Sequence, residues 1–208
     1  KFGFEYHFLD KDADELVSQY FIPNIQEVMR KGTIMCTLNH ILFYKSMVEN
    51  GDKIALILED DPFFDRHFVD KLGAIVKEAK TLPKGFFISL ENSTLEFPSC
   101  RIVKKEKYLY EADHGRCAGA YLLDQSAAKN ILERLQTKKC ETVIDHWHNI
   151  LIQEDVFKMY WAHPTIVEQG SLNGKMSSVN STRAQSLIRR LEWLSQKYYK
   201  TFILRYLK

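Results

Sequence analysis

Lys53-Ile-Ala-Leu-Ile-Leu58 runs straight into Glu59-Asp60-Asp61. A near-continuous apolar run of this length reads as a buried strand of the kind found in parallel sheets. The three acids that follow have no spacer between them. Like charges this close repel one another unless something positive lies nearby. A divalent cation meets that need, because Mg²⁺ and Mn²⁺ prefer hard oxygen ligands and often bridge to substrate phosphates. A solvated acidic turn is the other reading of the same residues.

Outward from this stretch, strand and helix patterns alternate. Phe2, Phe4, Tyr6 and Phe8 alternate as a strand does, and residues 12–20 suit a short helix capped by Asp10 or Asp12 and stopped by Pro23. Apolar residues from Thr33 onward follow helical spacing until Asn50-Gly51, which predicts a left-handed cap. Residues 65–80 form an amphipathic helical pattern, and 86–90 a strand that again ends on an acid, Glu91. Residues 92–116 read as irregular, with short strands at 102–103 and 108–110. A strand follows at 119–123, then a helix capped by Ser126 and another over 146–153 capped by Asp145. Residues 156–167 are extended, 170–182 form a polar loop suited to a lid, and 187–207 form a basic amphipathic helix. Two strands ending on carboxylates within this order predict an α/β fold with a site at the carboxyl ends of its strands.

Composition narrows the class. The chain has 208 residues and a net charge of +2, so no global field points to nucleic acid. Cys36, Cys100, Cys117 and Cys140 are widely spaced, which argues against a zinc knuckle and fits free thiols in a reducing compartment. No apolar run is long enough to span a bilayer. Seven basic residues (Arg183, Arg189, Arg190, Lys197, Lys200, Arg205, Lys208) face one acid, Glu192, at the C-terminal end. That helix is a candidate for peripheral contact with an anionic membrane face, or for packing on the core. Dinucleotide, P-loop and serine-hydrolase motifs are missing from the sequence.

The polar clusters admit two readings each. The acid-x-acid spacing of Glu59 and Asp61 can place one carboxylate on a metal and the other on a sugar hydroxyl or a metal-bound water, with Asp61 the first choice for direct ligation. Asn39-His40 lies mid-helix beside apolar residues, where a hydrogen-bonded core histidine competes with a ligand-binding one. Ile144-Asp145-His146-Trp147-His148 offers Asp145 as a general base and Trp147 as a stacking surface, or simply an N-cap with aromatic packing. His163 and Gln169 flank the extended run and can reach back to the site. Glu154-Asp155 would serve a phosphohydrolase only as part of a two-metal cluster.

Taken together, Gly32-Thr-Ile-Met-Cys36-Thr-Leu-Asn39-His40, then Lys45, Ala55-Leu-Ile-Leu-Glu59-Asp60-Asp61, Gly119-Ala-Tyr-Leu and Ile144-Asp145 resemble glycosyltransferase family 25. That family includes bacterial lipooligosaccharide galactosyltransferases and relatives of the collagen galactosyltransferases. Thr33, Met35 and Asn39 depart from its usual pattern. The resemblance implies a GT-A-like α/β fold with a mixed sheet, a UDP-hexose donor (galactose before glucose), Mn²⁺ or Mg²⁺, and inversion at the anomeric carbon. It implies a lipid-anchored oligosaccharide acceptor and a cytoplasmic or inner-membrane-face location. It expects a catalytic domain over 1–182 lacking the family's opening βα unit, and a basic helical tail over 183–208. Carried over by position, Glu59, Asp60, Asp10, His40 and Asn39 fall to the donor, and Asp61, His163 and Gln169 to the metal. Asp145 and Glu91 compete as catalytic base. A non-catalytic sugar-nucleotide-binding module with a decayed site is the alternative.

Overall fold

A computed structural model describes residues 13–171 and 187–204. In chain order it contains α1 (Ala13–Tyr20), α2 (Ile25–Val28), α3 (Lys31–Asn50), β1 (Ile54–Leu58), β2 (Pro62–Phe64), α4 (Phe68–Ala79) and β3 (Phe86–Ser89). These are followed by β4 (Leu109–Ala112), β5 (Ala120–Asp124), α5 (Gln125–Thr137), α6 (Ile144–Gln153), β6 (Lys158–Ala162), β7 (Val167–Gln169) and α7 (Leu187–Tyr199). The fold is mixed α/β, of the GT-A-like kind. Its opening residues, with the strand expected there, lie outside the described residues, as does the loop beyond Ser171.

Five strands form a mixed sheet in the order β1-β5-β3-β6-β4. β3 and β6 are parallel, whereas β5 runs antiparallel to both β1 and β3, and β4 antiparallel to β6. β1, β3 and β6 therefore point the same way, and their carboxyl ends share one edge. This corrects the reading of β1. Its only partner strand among the described residues is antiparallel, it sits at the sheet edge, and only Ile57 of its five residues is fully buried.

Side chains alternate across the sheet as the strand period requires. Phe87, Tyr121 and Leu123 join α3, α5 and α6 in one core, while Phe86, Ile88, Ala120 and Leu122 pack with Ile75 and Ala79 of α4 in the other. Helix α3 buries Ile34, Thr37, Leu38, His40, Ile41, Tyr44 and Met47, the three-and-four spacing of one helix face. Gly51, at φ 74, closes it with the left-handed cap expected from Asn50-Gly51.

Two expected caps change hands. Asp124, not Ser126, caps α5, its carboxylate accepting Ala127 N at 2.9 Å as well as Gly85 N. Val143 is the N-cap of α6, and Asp145 is the helix's second residue. Its first N–H is satisfied by Thr37 Oγ1 of α3 at 3.1 Å, which leaves the Asp145 side chain for another use. No strand forms at 102–103.

Helix α7 ends in a π-helical turn, Lys200–Leu204. Its inner side is tied to the domain: Lys197 pairs with Glu168, and Lys200 Nζ donates to the Thr94 carbonyl at 3.0 Å. Leu191, Leu194, Tyr198 and Phe202 are exposed along its outer side. Among the described residues, no helix is long and apolar enough to cross a membrane.

Candidate active site

The acids that end the apolar run point three ways. Glu59 turns inward and Asp60 is exposed, while Asp61 faces the start of the loop after β7. Glu59 Oε2 accepts Gln169 Nε2 at 2.7 Å, and its Oε1 lies 3.7 Å from both Cys36 Sγ and His40 Nε2. The antiparallel β2–β7 ribbon, with Pro62 opposite Gln169, supplies that glutamine. Burial alone would raise the Glu59 carboxyl, but hydrogen bonds from His40, Cys36 and Gln169 outweigh it and hold the group below its ordinary value. The Cys36 thiol is pushed up to about 12 by burial and by the Glu59 charge.

Behind Glu59 a buried chain of polar groups crosses the core. His40 Nδ1 lies 2.6 Å from Tyr121 Oη, which is 2.8 Å from Tyr44 Oη, which is 2.8 Å from His148 Nε2. Buried polar groups need partners, and these four satisfy one another. Burial, and secondarily His40, holds His148 well below its ordinary value. His148 packs against Phe87, Tyr121 and Phe157, in keeping with the aromatic packing expected for its segment. The expectation of a hydrogen-bonded core histidine describes His40 at Nδ1, whereas its Nε2 faces Glu59.

Glu91, just beyond β3, is fully buried. Gly119 N donates to its Oε1 at 2.7 Å, and its Oε2 contacts Ser93 Oγ. Burial pushes the carboxyl up to about 8, with the charges of Glu59 and Asp145 adding to the effect and the bonds from Ser93 and Gly119 opposing it. Ser93 Oγ, which contacts Glu91 Oε2, also lies 2.8 Å from Gln169 Oε1, so Ser93 and Gln169 together link Glu91 to the Glu59 carboxylate.

A tight loop ties these acids to α6. Gly115 N donates to Asn149 Oδ1 at 2.8 Å, Cys117 adopts φ 79, and the Gly119 carbonyl accepts Glu59 N at 3.0 Å. Between them Ala118 N–H and the Cys117 thiol bond the Asp145 carboxylate. Asp145 is half-buried, and its carboxyl is raised by desolvation and by the Glu59 charge, against the pull of His40 and of the Ala118 N–H. A non-glycine residue at positive φ stores strain and is characteristic of working loops. In the same loop, Arg116 is fully buried, its guanidinium donating to the Ser89 and Ala162 carbonyls and lying over Trp161. Burial lowers it to about 9.

Asp61 Oδ2 accepts Ser171 N at 2.8 Å, but its buried Oδ1 has no hydrogen-bond partner among the described residues, and neither does Asn39 Oδ1. An orphaned buried carboxylate oxygen is a fit place for a hard cation. The other expected ligands are placed elsewhere. Gln169 spends its amide on Glu59 and Ser93, and the His163 ring lies against Phe97 and Tyr110 at 6.1 and 6.3 Å between centroids. Trp147 is fully buried and cannot stack on a sugar. Glu154 is held by Arg134 and Asp155 by Lys158, so neither joins a second metal cluster. Asp10 lies outside the described residues.

Comparison with known proteins bears on this arrangement. Residues 9–148 match the family model described as glycosyltransferase family 25 (LPS biosynthesis protein), more than half of the chain. The chain belongs to glycosyltransferase family 25. It is similar to a glycosyltransferase 25 family member of Aedes aegypti, with 24% identity over 127 residues, 61% of this chain and 21% of the relative. It is also similar to procollagen galactosyltransferase 1 of Danio rerio, with 22% identity over 152 residues, 72% of this chain and 25% of the relative. The matched region thus spans about a quarter or less of each relative's length.

The family-25 segment contains Glu59, Glu91, Asp145, Cys36 and His40, whereas Gln169 lies beyond it. Reading the sequence quoted Gly119 and Tyr121 only as part of a family-like segment and gave them no role, and it missed Tyr44, Ser93 and residues 115–118. Tyr44 carried no signal, because an aromatic at a core spacing reads as packing. The loop carried one: two glycines around Arg116-Cys117-Ala118 between an irregular segment and a strand.

Proposed function

We propose that this chain is the catalytic unit of an inverting, metal-dependent hexosyltransferase that moves galactose, with glucose the next choice, from a UDP-sugar to an acceptor hydroxyl. The observation that carries the proposal is Asp145. It is a half-buried carboxylate raised above its ordinary value, and it is coupled to Glu59 and Glu91 where three co-directional strands end. A base raised toward working pH takes a proton more readily, and an inverting displacement needs one such carboxylate. Glu91, buried and neutral, is a positioning residue that sets Gln169 and through it Glu59. Asp61 is the choice for holding Mn²⁺ or Mg²⁺, and Asn39 keeps the donor role. Such an ion, when bound, neutralises charge on the departing diphosphate.

Galactose is supported by the galactosyltransferase relative, and a lipooligosaccharide or lipopolysaccharide acceptor by the description of the matched family. A procollagen-type protein is the second acceptor class, supported by the Danio rerio relative alone. The exposed apolar ridge of α7 supports peripheral contact with the inner face of a membrane, although Lys197 and Lys200 are turned toward the domain. Deleting residues 187–208 should release the chain from anionic liposomes, and unchanged binding would remove that role.

A panel of UDP-sugars scored by UDP release tests the reading, with UDP-galactose expected to turn over fastest in the presence of Mn²⁺. Binding of UDP-sugars without any release would leave a sugar-nucleotide-binding module instead.

A further inference from the structure

We propose that Cys36, His40 and Glu59 form a second cation site, one selective for a zinc-class ion and separate from the oxygen site at Asp61. Helix α3 presents Cys36 and His40 four residues apart on one face, and the end of β1 brings Glu59 to them. Cys36 Sγ, His40 Nε2 and a Glu59 oxygen lie within 4.8 Å of one another, and both contacts to Glu59 Oε1 are 3.7 Å. Zinc bonds of about 2.0–2.3 Å place tetrahedral ligand atoms roughly 3.3–3.7 Å apart, so the three need to close by little. One sulfur, one imidazole nitrogen and one carboxylate oxygen make a borderline-soft set that favours Zn²⁺ over Mn²⁺ or Mg²⁺.

The surrounding bonds point each ligand at the same place. Tyr121 Oη holds His40 Nδ1 and so leaves Nε2 for the cation, while Gln169 Nε2 holds Glu59 Oε2 and leaves Oε1. Such outer partners fix ring tautomer and carboxylate orientation in metal sites. The Tyr121 and Tyr44 hydroxyls can each donate in either direction along the chain to His148, so the Nδ1–H tautomer that Nε2 ligation requires is accommodated. Entry is open, because the Glu59 side chain is 25% exposed and Cys36 is only half-buried. On binding, the Cys36 S–H bond is lost, the sulfur pair forms the bond to the cation, and the proton leaves to solvent.

Co²⁺ titrated into the metal-free chain is the direct test, because a Co–thiolate bond gives a ligand-to-metal charge-transfer absorption that carboxylates alone do not. One equivalent should develop that absorption and tetrahedral visible bands, and Zn²⁺ but not Mn²⁺ should displace it. Cys36→Ala should abolish the absorption, Asp61→Asn should leave it intact, and Tyr121→Phe, which retains all three ligands, should weaken binding about 10- to 100-fold. No charge-transfer band, or one that survives Cys36→Ala through Cys100, Cys117 or Cys140, would overturn the site. Unchanged affinity in Tyr121→Phe would do so too. None of these readouts uses UDP-sugar turnover, so the site and the transferase reading fail separately.

Discussion

At the scale of single residues, Asp145 and Glu91, the two candidates for the catalytic base, sit in different surroundings. Both end up near Glu59, but Asp145 is half-buried and bonded by a backbone N–H, whereas Glu91 is fully buried and its carboxyl is pushed up to about 8 by that burial. Asp145→Asn, which keeps the shape and removes the base, should lower the transfer rate by about 10²–10⁴ while UDP-sugar affinity stays near that of the parent. Glu91→Gln keeps the shape of the side chain and can still accept from Gly119, so its loss of rate should be no more than about tenfold, well below the range of a lost base. Its effect belongs to stability. The Glu91 carboxyl is raised from 4.5 to about 8, so between those values the folded chain holds a proton that the unfolded chain has released. Stability from this group is therefore fully present below pH 4.5 and declines as pH rises toward 8. Denaturant unfolding followed from pH 5 to pH 8 should show a decline in the parent that is flatter in Glu91→Gln. Equal slopes would mean that Glu91 is ionised in the fold. None of this was legible in a strand ending on an acid, because the surroundings of Glu91 are set by burial and by Ser93, which itself bonds Gln169 76 residues away.

At the scale of elements, the periodic segments were legible and their pairings were not. The spacing of α3 and its Gly51 cap follow from local rules, and so do α4 and β3 to within a few residues. The placement of β1 did not follow, because an apolar run reports burial and carries no information on strand direction. Asp145 was read as a cap because the acid stands at a helix start, but the capping of that helix by Thr37 is decided by how α6 meets α3. The 115–119 loop is where this packing is most demanding. A Cβ on Gly119 would lie 2.4–2.6 Å from the Gln169 side chain. Gly119→Ala should therefore displace Gln169, break its bond to Glu59 and cost about 1–3 kcal/mol of stability, the range for overpacking. Chemical denaturation measures this, and a shift no larger than that of a surface alanine substitution would show that the loop has room to give. By contrast, Lys197→Ala removes a part-exposed ion pair with Glu168 and should cost no more than about 1 kcal/mol, read from the same midpoints.

At the scale of the whole molecule, a mixed sheet gathers Glu59, Glu91 and the 115–119 loop at one edge, and α6 brings Asp145 to them. The family-25 match covers this assembly through residue 148, and Gln169 completes it from the β2–β7 ribbon. If Asp61 holds a hard cation, Mn²⁺ with UDP should raise the melting temperature of the parent but far less that of Asp61→Asn, since a ligand that binds only the folded state stabilises it. Chelation with EDTA should return the parent to its unliganded value. The central proposal, that Asp145 is the base of an inverting hexosyl transfer, meets its most direct test in NMR of the first-formed product from UDP-galactose and Mn²⁺. Inversion from the α-linked donor should give the β anomer, at a rate that falls at least about a hundredfold in Asp145→Asn. An α anomer, or an Asp145→Asn variant as fast as the parent, would contradict it.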